Sequence, residues 1–281
     1  MHFEDSYFDV ISALGNKLEA KYYPNIVWLR ACSLPGASLF GVKISPEDVL
    51  EGELDDCYLV GALTLLAQHP SMVRSLFNSK KSNEADGRHC VCIWQQGQRL
   101  EVEVDDRIPC HLSSRRPVFA HCRNAAGFWV QIVEKAFAKL HGSYESLAGG
   151  STAEALHDLT GRPVFDYNLE APDIRADIRD GHLWCELCQH LQSKSMVACS
   201  FFRSGNESNT DAVSRQGLIP NHAYCVLEAC EFPAKYSGSD TEAQHAACRP
   251  PPIAAPGLQQ SIGSSENKHS AGNARCSIFK L

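Results

Sequence analysis

The 281-residue chain contains no unbroken apolar run of the roughly 18 residues that a membrane-crossing helix needs. The opening Met1-His2-Phe3-Glu4-Asp5 lacks the basic and apolar regions of a secretory signal. His2 stands where an N-terminal acylation signal needs glycine, and Ser277-Ile278-Phe279-Lys280-Leu281 is not a prenylation box. Positive charge is also scarce: 26 Lys and Arg face 33 Asp and Glu, a net charge of −7. That balance argues against nucleic acid or an acidic membrane surface as a partner, because both require a basic footprint. Thirteen cysteines in 281 residues is too sparse, and too odd a number, for a disulfide scaffold. Several lie in apolar runs, such as Cys90 and Cys92 in His89-Cys90-Val91-Cys92-Ile93-Trp94, where a thiol acts as a small hydrophobe. The expectation is a cytoplasmic, globular protein whose 44% hydrophobic content can bury one large core or two smaller ones.

What is present falls into four stretches. Residues 1–25 read as a lead-in with Ile11, Leu14 and Leu18 at helical spacing. Residues 26–232 carry the core. From Trp28 to Asp48, Pro35, Gly36, Gly41 and Pro46 predict an irregular layer, and Pro70 opens a short helix that runs into the polar loop Asn78 to Glu84. Cys90 to Trp94 and Arg99 to Val104 predict a hairpin about Gln95-Gln96-Gly97-Gln98. Asp105-Asp106-Arg107-Ile108-Pro109 reads as a charged turn whose carboxylates bond backbone and arginine.

Phe128 to Leu140 predicts a helix burying Phe128, Ile132, Phe137 and Leu140, with Glu134, Lys135 and Lys139 in solvent and Gly142 at its end. Helices are also expected over Ala153 to Thr160 and, unbroken, Asp173 to Ser193. Strands follow over Val197 to Phe202 and His222 to Ala229, separated by the polar loop Ser204 to Gln216. Residues 233–274, rich in Ser, Gly, Pro, Ala and Gln around Pro250-Pro251-Pro252, read as a disordered insertion, and residues 275–281 start a further strand.

The stretch that organises the chain is Leu54 to Ala67. There the acidic pair Asp55-Asp56 suits an N-cap, and Leu59, Leu63 and Leu66 recur at helical intervals. Cys57 therefore falls in a first helical turn, where the positive end of the helix dipole favours the nucleophilic thiolate. Such a nucleophile needs a base. His222 lies well downstream at the head of the strand-like run Ala223-Tyr224-Cys225-Val226-Leu227, the Cys-before-His order of papain-type peptidases.

Here the chain resembles a known family. Glu51-Gly52-Glu53-Leu54-Asp55-Asp56-Cys57-Tyr58-Leu59 resembles the calpain nucleophile motif Gln-Gly-x-x-Gly-Asp-Cys-Trp-Leu. Further blocks follow in calpain order: Val104 to Pro109, Phe128-Trp129 with Glu134 to Leu140, Gly142 to Glu145 with Gly149 to Thr152, and Asn221-His222-Ala223-Tyr224. The resemblance implies an α+β, papain-like cysteine peptidase core of calpain type, comprising the nucleophile-bearing helical half and the beginning of the β-rich half. It implies Cys57 as nucleophile, His222 as base, Glu51 at the oxyanion position, and Tyr58, Gly149 and Gly150 as contacts to a protein or peptide substrate.

Several family residues are replaced. The family's oxyanion glutamine is Glu51 here, and an ionised carboxylate cannot donate to a developing oxyanion. The Asn-Pro-Trp that carries the family's third catalytic residue does not occur in the chain. Asp48 matches one carboxylate of the family's first calcium site, while Gly127 stands where the second acidic ligand is usual, so only weak calcium binding is expected. His182, Cys185, Cys188 and His190 crowd together, but on one helix they spread around the cylinder, and no zinc is expected. Three functions remain open: a calpain-like cysteine endopeptidase working through an acyl-enzyme, a catalytically impaired relative that binds extended peptide, and, more weakly supported, a regulatory calcium- or zinc-binding domain.

Overall fold

Helix α2 (Cys57–Ala67) is apolar nearly all round, burying Leu59, Val60, Ala62, Leu63, Leu65 and Leu66, and so lies inside its unit rather than on its surface. A computed structural model of the chain describes residues 2–33, 36–124, 126–203, 221–229 and 272–279. It divides into two units, Met1–Arg162 and Pro163–Leu281.

In the first unit, α1 (Asn16–Tyr22) is followed by strand β1 (Ile26–Arg30), so Trp28 belongs to a strand and not to an irregular layer. The sequence concealed this because the partner, β5 (Arg107–His111), is distant, with Trp28 opposite Pro109. Strand β2 (Val49–Leu50) pairs with β6 (His121–Cys122) immediately before the nucleophile turn. Helix α3 (Pro70–Ser75) leads to the hairpin β3 (Arg88–Gln95) and β4 (Gln98–Asp105). Its Gln96-Gly97 turn has φ of 51° and 75°, the left-handed pair that matches strand twist.

Helix α4 (Trp129–His141) ends on Gly142 at φ 99°, as expected of a left-handed cap. Its burial departs from expectation: Glu134 and Lys135 are 2% and 1% exposed, whereas Leu140 is only half-buried. Lys135 Nζ reaches Asp105 Oδ1 at 2.5 Å and the Arg107 carbonyl at 2.7 Å, while Arg107 clasps Asp105 through Nε and Nη2 at 2.9 and 2.7 Å. Burial alone would raise the Asp105 pKa, but the Lys135 charge and the Arg107 bonds bring it down to about 2. Asp106 in turn accepts from Arg30 Nη1 at 2.7 Å and the Cys32 N–H at 3.1 Å. The lead-in joins this network, Asp5 accepting from Lys139 Nζ at 2.7 Å and donating its N–H to Asp105 at 2.9 Å.

Helix α5 (Thr152–Thr160) opens on Ser151, whose hydroxyl accepts from the Glu154 N–H, and closes on left-handed Gly161.

The second unit holds β7 (Val164–Asn168), α6 (Pro172–Arg179), α7 (His182–Gln192), β8 (Met196–Arg203), β9 (His222–Val226) and β10 (Gly272–Phe279). The four strands form an antiparallel sheet in the order β7-β10-β8-β9. Val197, Val226, Cys276 and Ile278 form its core under Leu187 and Leu191 of α7. The expected single helix over Asp173 to Ser193 is two, because Asp180 caps α6 and Gly181 turns left-handed at φ 77°. The strand expected to reach Ala229 ends at Val226. The loop Ser204 to Gln216 and most of the stretch 233–274 lie outside the described residues.

Candidate active site

Cys57 is the first residue of α2, half-buried, with a reduced thiol. Asp56 precedes it as N-cap, but only its backbone carbonyl caps the helix, accepting from the Leu59 and Val60 N–H groups at 2.8 and 3.1 Å. The expected side-chain cap does not form, because the Asp56 carboxylate turns inward and is fully buried.

The turn carrying Cys57 is held from several directions. The Glu53 N–H donates to the Val118 carbonyl at 2.9 Å, and the Glu53 carboxylate accepts from the Tyr22 hydroxyl and meets His111 Nε2, each at 3.0 Å. Gly52 lies so close to the chain at Phe119 that a Cβ would sit 2.2 Å from its backbone carbon. On the opposite side, the Gly149 N–H donates to the Asp55 carbonyl at 2.8 Å. Gly149 takes φ 77°, and a Cβ on Gly150 would be 2.6 Å from the Tyr58 ring. The structure thus brings Cys57, Tyr58, Gly149 and Gly150 into one locality. Burial, followed by the Asp56 charge, pushes the Tyr58 phenol up to about 12, so it stays neutral. Glu51 is exposed on the strand-to-turn segment before Gly52.

His222 belongs to the second unit. It is half-buried at the start of edge strand β9, after Asn221 in the left-handed region at φ 58°, and its ring stands at 87° to Tyr224, 5.2 Å away.

Asp48 lies apart from the thiol's immediate neighbours, in a cleft lined by Phe40, Gly41, Lys43, Asn124, Gly127 and Trp129 among others. Calcium requires roughly six to eight oxygens, several of them anionic. Among the described residues Asp48 is the cleft's one carboxylate, its Oδ2 already accepts from Ser45 Oγ at 2.9 Å, and a lysine stands in the lining. This donor set does not fit a calcium ion. On α7, His182 faces Asp177 at 3.7 Å and His190 faces Glu186 at 3.5 Å.

Sequence reasoning missed Gly52, Glu53 and Glu134 around the site. Glu134 lies three residues before buried Phe137, so helical period places it on the core face; its charge alone suggested solvent.

Comparison with known proteins shows the family. A calpain family cysteine protease domain is matched over residues 3–242. Calpain-A of Drosophila melanogaster is 36% identical over 234 residues, covering 81% of this chain and 26% of that protein. Mouse Calpain-8 is 34% identical over 214 residues, covering 74% and 29%. A calpain-type cysteine protease of Zea mays is 35% identical over 194 residues, covering 69% and 9%. The chain therefore spans less than a third of the length of these relatives. With the domain match extending from residue 3 to residue 242, the chain belongs to the calpain family of cysteine proteases.

Proposed function

We propose that the chain is the nucleophile-bearing part of a cysteine endopeptidase in which Cys57 attacks a peptide carbonyl. His222 takes the thiol proton, the sulfur–carbon bond forms, and the collapsing tetrahedral species expels the amine, which leaves with the proton from His222. Water then hydrolyses the thioester and returns the thiol. The observation carrying this reading is the placement of Cys57 at the first position of α2, half-exposed, with its turn pinned by Val118 and Gly149. A first helical turn directs N–H groups toward an adjacent anion, which favours both the thiolate and the oxyanion. Gly149 and Gly150, free of side chains beside Tyr58, suit an extended substrate backbone, and protein substrates follow from the family. Buried Cys90, Cys92, Cys110 and Cys122, reduced in the core, suit a reducing, cytoplasmic setting.

The test is mechanism-based labelling with a peptidyl chloromethyl ketone, which needs both the thiolate and a bound peptide. Modification should occur at Cys57, should be lost in Cys57→Ala, and should be strongly slowed in His222→Ala. Equal labelling of the His222→Ala variant would overturn the assignment of the base.

A second reading, a peptide-binding relative of low turnover, is favoured by Glu51, whose carboxylate adds negative charge where an oxyanion donor is required. We further infer that any calcium binding by this chain is weak, since among the described residues Asp48 has no second carboxylate in its cleft.

A further inference from the structure

Two carboxyl groups are buried behind the nucleophile turn with no cation among the described residues paired to them. Asp56, from the N-cap of α2, is 0% exposed, and Glu134, from the middle of α4, is 2% exposed. Glu134 Oε1 accepts from the Ala120 N–H at 2.9 Å. Neither oxygen of Asp56 receives a hydrogen bond from any described N–H or O–H, and the fully buried Tyr144 hydroxyl is likewise without a partner. Lys135, the next residue on α4, is committed to Asp105 and the Arg107 carbonyl. Among the described residues no Lys, Arg or His forms an ion pair with either carboxyl. The titratable groups facing the pair are acidic or neutral from every side: Glu51 and Asp55 on the turn, Cys57 and Tyr58 on α2, Tyr144 after α4, and Cys110 of β5 beyond Tyr144.

The Asp56 and Glu134 side chains lie within hydrogen-bonding reach of each other; two unscreened carboxylates so placed are untenable, and an unbonded buried carboxylate is costly. A single proton removes both difficulties, because one carboxyl then donates O–H to the other and supplies the hydrogen bond that Asp56 otherwise lacks. We propose that Asp56 and Glu134 share a carboxyl proton in the folded protein, making Glu134 a positioning residue that controls the charge behind Cys57. The surroundings of the two carboxyls act in the same direction. Burial first, then the Glu51 and Asp55 charges, raise Asp56 to about 7, while burial and the Asp56 charge hold Glu134 well above the carboxylate range.

The sign of the consequence is fixed. Unfolded carboxyls ionise near about 4, so between that value and about 7 this pair holds more protons in the folded chain than in the unfolded one. The pair's contribution to stability is full below about 4 and declines as pH rises toward 7. As the pair ionises, a negative charge arises beside the start of α2 and opposes the Cys57 thiolate. The catalytic meaning rests on Cys57 being the nucleophile; the protonation itself does not.

The experiment compares wild type with Asp56→Asn and Glu134→Gln by thermal unfolding and by Cys57 alkylation with iodoacetamide, both from pH 5 to 8. Relative to either variant, the wild-type midpoint should fall as pH rises, a comparison in which the opposite contribution of buried His89 cancels, and Asp56→Asn should speed alkylation at pH 8 by roughly three- to tenfold. Superimposable pH dependences in all three proteins would overturn the proposal. Should the variants not fold, infrared spectroscopy of wild type at pH 6 serves instead: the carbonyl stretch of a protonated carboxyl is expected, and its absence refutes the shared proton. None of these readouts needs peptide turnover, so an inactive chain with the expected pH behaviour refutes the peptidase reading and leaves this one standing.

Discussion

The backbone N–H of Gly149 donates to the carbonyl of Asp55 at 2.8 Å, which ties the glycine loop to the turn that presents Cys57. Glycine at 150 completes the contact by letting the Tyr58 ring lie against the loop. Gly150→Ala should therefore displace Tyr58, with an overpacking cost of about 1–3 kcal/mol. Thermal unfolding and the rate of peptidyl chloromethyl ketone labelling should both fall; a variant matching wild type in the two measurements would show that Tyr58 yields freely.

Cys57 should be the most reactive described thiol near neutral pH. Burial pushes Cys90 and Cys110 up to about 11 and Cys122 and Cys276 up to about 12, which leaves them almost wholly protonated. Cys185 is the exposed competitor, on α7. Substoichiometric iodoacetamide followed by peptide mass spectrometry should find the label at Cys57, and preferential labelling of Cys185 would contradict the site assignment.

Replacing Glu51 with Gln removes a negative charge and, on the proposed mechanism, supplies an N–H donor to the oxyanion. In a chain with measurable turnover, Glu51→Gln should raise the rate by ~10- to 10³-fold, the scale of one oxyanion donor. It should also shift Cys57 alkylation to lower pH, because a nearby carboxylate opposes the thiolate. Unchanged turnover and an unchanged alkylation profile together would remove Glu51 from the site.

Asp105 is the structural counterpart of the acidic pair behind Cys57: it is equally buried but surrounded by cations. Asp105→Asn should destabilise the chain by about 3–5 kcal/mol, since it leaves the buried Lys135 ammonium without its counter-charge. Its folded pKa lies below the unfolded value, so the stability it supplies is present above about 4 and lost as pH falls through about 2. Acid unfolding monitored by circular dichroism should therefore begin at higher pH in the variant.

Isothermal titration should find no sub-micromolar calcium binding by this chain. Tight binding would mean that carboxylates other than Asp48 complete the site.

The local parts of this fold were legible in the sequence. Gly97 and the flanking alternation located the hairpin, and the leucine spacing after Asp56 located α2, because turn chemistry and helical period act over a few residues. Features that depend on distant partners were hidden. Trp28 reads as part of an irregular layer until Pro109 is placed beside it, and Lys135 reads as a solvent residue until Asp105 is found beneath it. Gly181, in contrast, is a local break that was overlooked, since the apolar period continues across it. At the site, Cys57 and its helix could be read directly, whereas the burial of Asp56 and Glu134 depends on residues distant from each in the chain.

Gly52 sets a limit on how this sequence can drift. A Cβ there would meet the backbone of Phe119, which cannot rotate away as a side-chain tip could, and Phe119 itself packs on Tyr144 with ring centroids 4.8 Å apart. Tyr144 in turn adjoins the Asp56–Glu134 pair. Even alanine at position 52 therefore presses, through two aromatic rings, on the residue next to the thiol. Saturation mutagenesis of that codon should recover glycine almost alone, while exposed Glu51 beside it accepts many residues when the screen is for folding and few when it is for turnover.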